Sequence, residues 1–314
     1  MLRSKTGEKG DLGVPRLLSV TIGISSFNEE RNIGRLLDAL VPQEEDENFS
    51  ITQIVISDDS QDNTCRIIEQ YAKRDKRIQL YHHSIRRGKP SAINEIFSQA
   101  EGDVVVLLDA DIIPADRMLM RRLIQPFLKQ PKLGIAAGAA VALKPRTVQE
   151  RMAYFTFKIW RHLREELRGG NNFFSVHGKV MAVSSKLSRN VVIPDGVIGD
   201  DGYLYLMCKR LALGVYYCRD AVVYYRETSD IGDFLKRRIK YEKNLNQLIG
   251  FFGEFARREL SIPRSLLTRT SLTEGIRDPI GLILSVPAVI FSKIYSRKVY
   301  MDPIWPIALT TKKL

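Results

Sequence analysis

The stretch Val104-Val105-Val106-Leu107-Leu108-Asp109-Ala110-Asp111 runs five consecutive apolar residues into two carboxylates that flank one small residue. An apolar run without polar alternation reads as a strand buried on both faces, the state of a central strand in a parallel sheet. Ligands of open α/β sheets bind outside the carboxyl ends of such strands, so Asp109 and Asp111 stand where a ligand is expected. Two acids this close repel each other unless a cation offsets them. Hard divalent ions are held by one or two carboxylates together with substrate phosphates. The same pair also suits a solvated turn, where aspartate is common. The flanking sequence has to choose.

Upstream, strand patterns over 17–25, 51–56 and 78–81 alternate with helical patterns. The first helix carries Ile33, Leu36, Leu37 and Leu40 on one face, the second Ile67, Ile68 and Tyr71, and the third covers about 90–99. This alternation predicts a doubly wound, mostly parallel sheet with right-handed crossovers. Downstream, the pattern predicts a helix from 114 to about 128, an apolar segment over 133–143 and a long helix over 147–167. A strand over 180–183, a Gly- and Asp-rich loop over 195–201 and a helix over 202–211 follow. A strand or hairpin over 215–225 and a long basic helix over 230–252 complete it. The Rossmann glycine fingerprint and the GxxxxGK[ST] phosphate loop are both absent, so a nucleotide must be held in another way.

The 314 residues are 44% hydrophobic and 27% charged, which suits a globular chain with a large core. A net charge of +12 leaves three partners: nucleic acid, an anionic membrane surface or an anionic substrate. No nucleic-acid-binding motif is present and the cations do not alternate with aromatics, so nucleic acid is not expected. Cys65, Cys208 and Cys218 show neither metal-site nor disulfide spacing, which predicts reduced thiols in a cytoplasmic setting. Residues 1–15 are charged and lack an apolar core, so no secretory signal is expected there.

Carboxylates recur at predicted strand ends and loops: Asp58 and Asp59, Asp109 and Asp111, Asp200 and Asp201. Sheet topology gathers such ends at one rim. That much negative charge needs positive partners, and Lys89, Arg237, Arg238 and Lys240 are the candidates, with a metal. Acidic metal ligands ringed by cations suit a nucleotide diphosphate, with a spare carboxylate as base.

Six segments, in order, resemble the inverting nucleotide-sugar glycosyltransferases of family 2, which have the GT-A fold. They are Ser25-Ser26-Phe27-Asn28-Glu29-Glu30, Ile56-Ser57-Asp58-Asp59-Ser60-Gln61-Asp62, Arg87-Gly88-Lys89-Pro90-Ser91-Ala92-Ile93-Asn94, Asp109-Ala110-Asp111, Gly199-Asp200-Asp201 and Arg237-Arg238-Ile239-Lys240-Tyr241. Asp109-Ala110-Asp111 resembles the DxD metal motif, Gly199-Asp200-Asp201 the catalytic-base motif, and the last segment loosely resembles the QxxRW motif of processive synthases. Its Gln, Arg and Trp are replaced here, so the resemblance does not extend to processive synthesis. The resemblance implies that Ser25, Phe27 and Asp59 hold the base and ribose, with Phe27 stacking on the base and Glu29 orienting the pocket. It implies that Asp109 faces ribose and diphosphate, that Asp111 ligates Mg2+ or Mn2+, and that Asp201, preferred over Asp200, is the general base. His177 and Gly178 line the acceptor side. The implied donor is a UDP-sugar, with GDP-mannose second, and the implied acceptor a lipid-linked or saccharide hydroxyl.

Two other functions compete. A sugar-phosphate nucleotidyltransferase needs a Gly-rich loop after the first strand, and residues 25–30 hold no glycine. A silent membrane-associated binding module has no use for both Asp111 and Asp201. The expected domains are a flexible lead over 1–16, a catalytic domain over 17–255, divided at 115/116 into nucleotide and acceptor halves, and a basic, hydrophobic region over 256–314. Within the last, 279–292 is uncharged but short of the roughly 20 residues of a spanning helix, and Pro287 interrupts it. Arg277, Lys293, Arg297 and Lys298 flank it, and Tyr295, Tyr300 and Trp305 are interface-type residues. A re-entrant or interfacial membrane segment is expected, with a marginal span or a helix packed on the catalytic domain as alternatives, and the catalytic domain on the cytoplasmic side. Nothing in the sequence sets the oligomeric state.

Overall fold

The computed structural model describes residues 17–296. The lead over 1–16, and Arg297, Lys298, Tyr300 and Trp305 of the predicted membrane segment, lie outside the described residues. The strands are β1 (Leu18–Ser26), β2 (Phe49–Asp58), β3 (Ile78–His82), β4 (Val104–Asp109), β5 (Ile113–Pro114), β6 (Leu133–Ala142), β7 (Val180–Ser184) and β8 (Gly214–Tyr225). The helices are α1 (Ile33–Leu40), α2 (Thr64–Arg74), α3 (Lys89–Gln99), α4 (Leu119–Lys129), α5 (Val148–Glu166), α6 (Ser185–Ser188), α7 (Asp200–Arg210), α8 (Ile231–Glu259), α9 (Arg264–Arg277) and α10 (Pro279–Tyr295).

The sheet order is β3-β2-β1-β4-β7-β6-β8-β5. The four strands from β3 to β4 are parallel. β7 runs against both β4 and β6, and β6 and β8 are parallel to each other, so only β7 and the two-residue β5 oppose the common direction. Every apolar residue of β4 is buried, as its unbroken run requires. Alternate residues feed two cores. Val104, Val106 and Leu108 meet α1 and α4 on one face of the sheet, while Val105 and Leu107 meet α3, α7 and α8 on the other. Truncating one such side chain, Leu108→Ala for example, costs about 2–5 kcal/mol.

Strand register aligns the carboxyl ends. Ser25 stands opposite both Ser57 and Asp109, and Ser26 opposite Asp58. The loops that leave these ends are bonded together: the Asn28 and Glu29 amides donate to the Ser60 and Thr64 hydroxyls, and the Gln61 amide donates to the Asn28 side chain. Asn28 takes a positive φ of 54°, a conformation asparagine tolerates.

The structure differs from the sequence pattern at three places. Residues 214–225 form one strand, not a hairpin. α7 begins at Asp200, so both aspartates lie in its first turn and not in a loop; acids are favoured there because they face the positive end of the helix dipole. α8 extends to Glu259 through a kink at Gly253, whose φ is 58°.

At the C-terminus, α10 packs Leu284 and Ala288 against Met152, Ala153 and Phe234. Asp278 caps it, accepting from the Gly281 amide, and pairs with Arg151 at 2.8 Å. Its buried residues are Gly281, Ser285 and Ser292, whereas Ile280, Ile283, Ile290, Phe291 and Ile294 are exposed. The outward face is thus the apolar one. No helix among the described residues is long and apolar enough to cross a membrane.

Candidate active site

Two cavities open at the carboxyl rim of the sheet. The first, of about 340 Å³, is lined by Ser25, Phe27, Glu29, Asp59, Asp109 and Asp111, among others. The second, of about 440 Å³, is lined by Asp201, His177, Gly178, Arg164, Trp160 and Tyr241, among others. Lys89, Asp109, Lys179, Asp200, Arg237 and Lys240 face both and form a shared charged wall. The sequence-predicted residues therefore meet: those assigned to the nucleotide sugar fall in the first cavity, and Asp201, His177 and Gly178 in the second. Arg238 stands apart from the other expected nucleotide cations. It was assigned with the nucleotide cations but lines only the second cavity. One residue turns a helix by about 100°, so Arg237 and Arg238 cannot point the same way.

In the first cavity Asp59 is fixed by the loop before α3. Its Oδ2 accepts from the Arg87 and Gly88 amides at 2.7 and 3.3 Å, and its Oδ1 from the Arg87 guanidinium at 3.2 Å. Gly88 sits at φ 88°, which a side chain would strain. Its neighbour Asp58 is fully buried and lines neither cavity. It accepts from the Ser26 and Ser60 hydroxyls and pairs with His82, so it is a strut between loops. Phe27 is half-buried, with the Arg86 guanidinium 4.3 Å from its ring centre. Glu29 accepts from Asn32 at the start of α1.

The aspartate pair is neutralised from the start of α3 and from the residue before β7. Lys89 Nζ donates to Asp109 at 2.6 Å, and Lys179 Nζ lies 3.4 Å from Asp111 and 3.9 Å from Asp109. Burial works against both charges at the first contact. It pulls Lys89 down, but Asp109 and Asp200 more than reverse this and the ammonium stays charged. Burial likewise lifts Asp109, but Lys89 and Lys179 bring it below the ordinary carboxylate range. The donor set here is carboxylate oxygen only, the hard type that Mg2+ and Mn2+ take. Asp111 spends one oxygen on Lys179 and keeps the other for a further ligand. The residues fit such an ion.

A different set, Asp58, Cys65 and His82, brings its ligand atoms within 4.8 Å of one another. Asp58 is already committed to Ser26, Ser60 and His82, so that set is not the centre of the site.

In the second cavity the loop before α7 is tied down from both sides. Asn94 exchanges two hydrogen bonds with Ile193, and Gln247 accepts from the Ile198 amide and donates to Gly196. This delivers Asp201, whose carboxylate accepts from the Gly178 amide at 3.2 Å and its own neighbour Gly202 at 2.7 Å. Burial, and then the charge of Asp200, push Asp201 up to about 6. A carboxyl tuned this way is close to the range of an effective general base. Asp200 leans on Lys89 at 3.8 Å. His177 is pushed well below its ordinary value by burial and by Arg164, and is neutral. Arg237 is held charged by Glu227, 2.7 Å away.

Sequence reading missed Lys179, Arg164, Trp160, Arg226 and Glu227. Lys179 has a faint signal: it immediately precedes β7, and β7 pairs with β4 so that Leu108 meets Val180. Only that long-range antiparallel pairing puts its side chain beside the aspartates.

Over 102 residues the chain is 28% identical to a dolichyl-phosphate beta-glucosyltransferase of Trichomonas vaginalis, covering 31% of this chain and 32% of that protein. Over 115 residues it is 32% identical to poly-beta-1,6-N-acetyl-D-glucosamine synthase of Staphylococcus epidermidis, covering 37% and 27%. The chain thus aligns with about a third of the length of these curated relatives. Among solved structures it resembles a mannosyltransferase from Pyrobaculum calidifontis in complex with GDP-Man and Mn2+, with a TM-score of 0.59, 18% identity, and 92% and 78% of the two chains covered. It also resembles glucosyl-3-phosphoglycerate synthase from Mycobacterium tuberculosis in complex with Mn2+ and UDP-Glc, with a TM-score of 0.54, 17% identity, and 74% and 78% covered. At these identities the likeness establishes the α/β, GT-A-like fold. The model of the glycosyl transferase family 2 matches residues 21–190, more than half of the chain, and the protein belongs to that family.

Proposed function

We propose that the protein is an inverting glycosyltransferase. It moves a sugar from a nucleotide-diphosphate sugar, a UDP-sugar first and GDP-mannose second, to a hydroxyl of a lipid-linked or saccharide acceptor. One observation carries this reading: two cavities share one charged wall, with the aspartate pair on one side and a carboxyl of raised affinity for protons on the other. The nucleotide occupies the first cavity, with Asp59 and Phe27 at its base and ribose. The acceptor enters the second.

Asp201 takes the proton of the acceptor hydroxyl as its oxygen bonds to the anomeric carbon. The bond from that carbon to the diphosphate breaks on the opposite face, so the centre inverts and the nucleoside diphosphate departs. A divalent ion, Mg2+ or Mn2+, held by Asp111 with Asp109 beside it, would offset the charge of the departing diphosphate. Lys89, Arg237 and Lys240 supply fixed positive charge to the same group. The test is a screen of UDP and GDP, each with and without Mn2+, by thermal shift. A bound ligand stabilises the fold by mass action, so a metal-dependent rise is expected for one of them. No rise with either would sink the reading.

The outward apolar face of α10, with Arg277 and Lys293 at its ends, supports attachment to an anionic membrane surface, with the catalytic domain on the cytoplasmic side. Ile283→Asp with Ile290→Asp should abolish sedimentation with phosphatidylserine vesicles. Unchanged sedimentation would assign that face another role.

A further inference from the structure

On the transfer reading above, the second cavity carries more positive charge than the donor requires. Six cationic side chains line it against four carboxylates among the described residues. Lys89 and Lys179 answer the aspartate pair, and Arg237 binds Glu227. Arg238 reaches Glu242 only at 3.6 Å, across the wide rim of hydrogen-bond geometry. Arg164 makes no ion pair among the described residues. Arg164 and Arg238 line the second cavity and not the first, so the donor diphosphate does not account for them.

The same wall holds buried polar atoms with no hydrogen bond: the donors Nε of Arg164, Nε of Arg238 and the hydroxyl of Tyr241, the ring nitrogens of His177, and the acceptors Oδ2 of Asp200 and Oδ1 of Asn244. Buried polar groups are nearly always satisfied, so the three donors left this way, Arg164, Arg238 and Tyr241, point to a ligand rich in acceptors. The three come from two separate helices, α5 and α8. Trp160 adds an apolar panel to the cavity, with its ring 5.4 Å from that of Phe174 and 5.2 Å from that of Tyr241.

We infer that Arg164, Arg238 and Tyr241 seat an oxyanion on the acceptor, a phosphate ester whose organic part lies against Trp160. A phosphate offers several oxygens to donors that arrive from different directions, and two guanidinium groups match it. Two kinds of hydroxyl-bearing acceptor share this chemistry, a lipid-linked one that carries a phosphate and a small soluble phosphate ester. The fold leans toward the lipid: α5 carries Trp160 and Arg164, and nearer its start packs Met152 and Ala153 against α10, the helix with the outward apolar face.

The experiment titrates octyl phosphate, glycerol 3-phosphate and octanol into the full chain, its Arg164→Gln and Arg238→Gln variants, and Arg164→Lys. Binding of the nucleoside diphosphate with Mn2+ is measured beside each. Octyl phosphate should bind at least about tenfold more tightly than octanol, and should lose about tenfold in each Gln variant. Arg164→Lys should recover part of that loss. Nucleotide binding should stay unchanged in all variants, which also reports that they fold. Equal binding of glycerol 3-phosphate and octyl phosphate supports the seat and removes the lipid as its source. Equal binding of octanol and octyl phosphate, with nucleotide binding intact, overturns the seat and leaves the transfer reading standing. Loss of nucleotide binding in the unmodified chain strikes the transfer reading instead.

Discussion

The two cavities share a wall yet differ in how their charges are settled. In the first, three aspartates have their cations: Asp59 has Arg87, Asp109 has Lys89, and Asp111 has Lys179. In the second, Arg164 has no carboxylate partner among the described residues, and Asp201 is held by amides, its affinity for protons raised. A site with matched charges is rigid before its ligand arrives and changes little on binding. A site with unmatched, desolvated groups holds its electrostatic work in reserve for the ligand that completes it. This difference fits a division in which the first cavity recognises and the second reacts.

The sharpest way to break that division is Asp201→Asn. Transfer should fall by about 10²–10⁴, the contribution of a positioned base, while Mn2+-dependent nucleotide binding is unchanged. Turnover within tenfold of the unmodified chain removes Asp201 from the role. Asp111→Ala should act on the other side. Nucleotide affinity in Mn2+ should drop by roughly ten- to a hundredfold, as when a metal site loses a supporting group, and affinity without metal should barely change. Equal losses with and without metal would detach Asp111 from the ion.

The pH dependence sharpens the comparison further. The base works ionised, so kcat/KM should climb through about pH 6 and level off above it. Asp200 is the second cause of the raised value, after burial, so Asp200→Asn should move that limb to lower pH. A profile flat across this range would count against Asp201. The sign for stability runs the other way. The folded chain holds this proton more tightly than the unfolded chain, so stability is fully present below the ordinary carboxylate value of 3.8 and is lost as pH rises through about 6. Asp201→Asn should therefore raise Tm at pH 8 and leave it nearly unchanged at pH 4. The smallest effect belongs to the strut beneath both cavities. Ser26→Ala leaves the buried Asp58 short of a donor and should cost about 1–3 kcal/mol in denaturant unfolding, with nucleotide affinity retained. A loss of affinity at full stability would instead make Asp58 part of the site.

How far each cavity could be read from sequence follows the same line. The first is built from β1, β2, β4 and the loops after them, whose periodicity is local and whose acids sit at strand ends, so Ser25, Asp59, Asp109 and Asp111 were legible. The second is assembled by β7 turning against β4 and by α5 and α8 crossing over it, pairings between residues far apart in the chain. Lys179, Arg164 and Trp160 carry no local pattern that announces them. Arg238 parts from Arg237 because adjacent residues of a helix point about 100° apart, which a run of cations in the sequence does not display. The start of α7 was legible and passed over: acids at the head of a helical pattern mark its first turn.

Register at the sheet rim has a consequence for length variation. Ser25 is level with Asp109, and Ser26 with Asp58, because β1 is paired residue for residue with β4, and from Thr21 onward, past a one-residue irregularity, with β2. Deleting one codon inside β4 would carry Asp109 to the opposite side of the sheet and its charge into an apolar core. A deletion confined to an exposed loop leaves that register in place. Insertions and deletions in variants that still work should therefore be absent from these strands and crowd into such loops, which makes the spacing of the strands, more than any single residue in them, the inherited measure of the site.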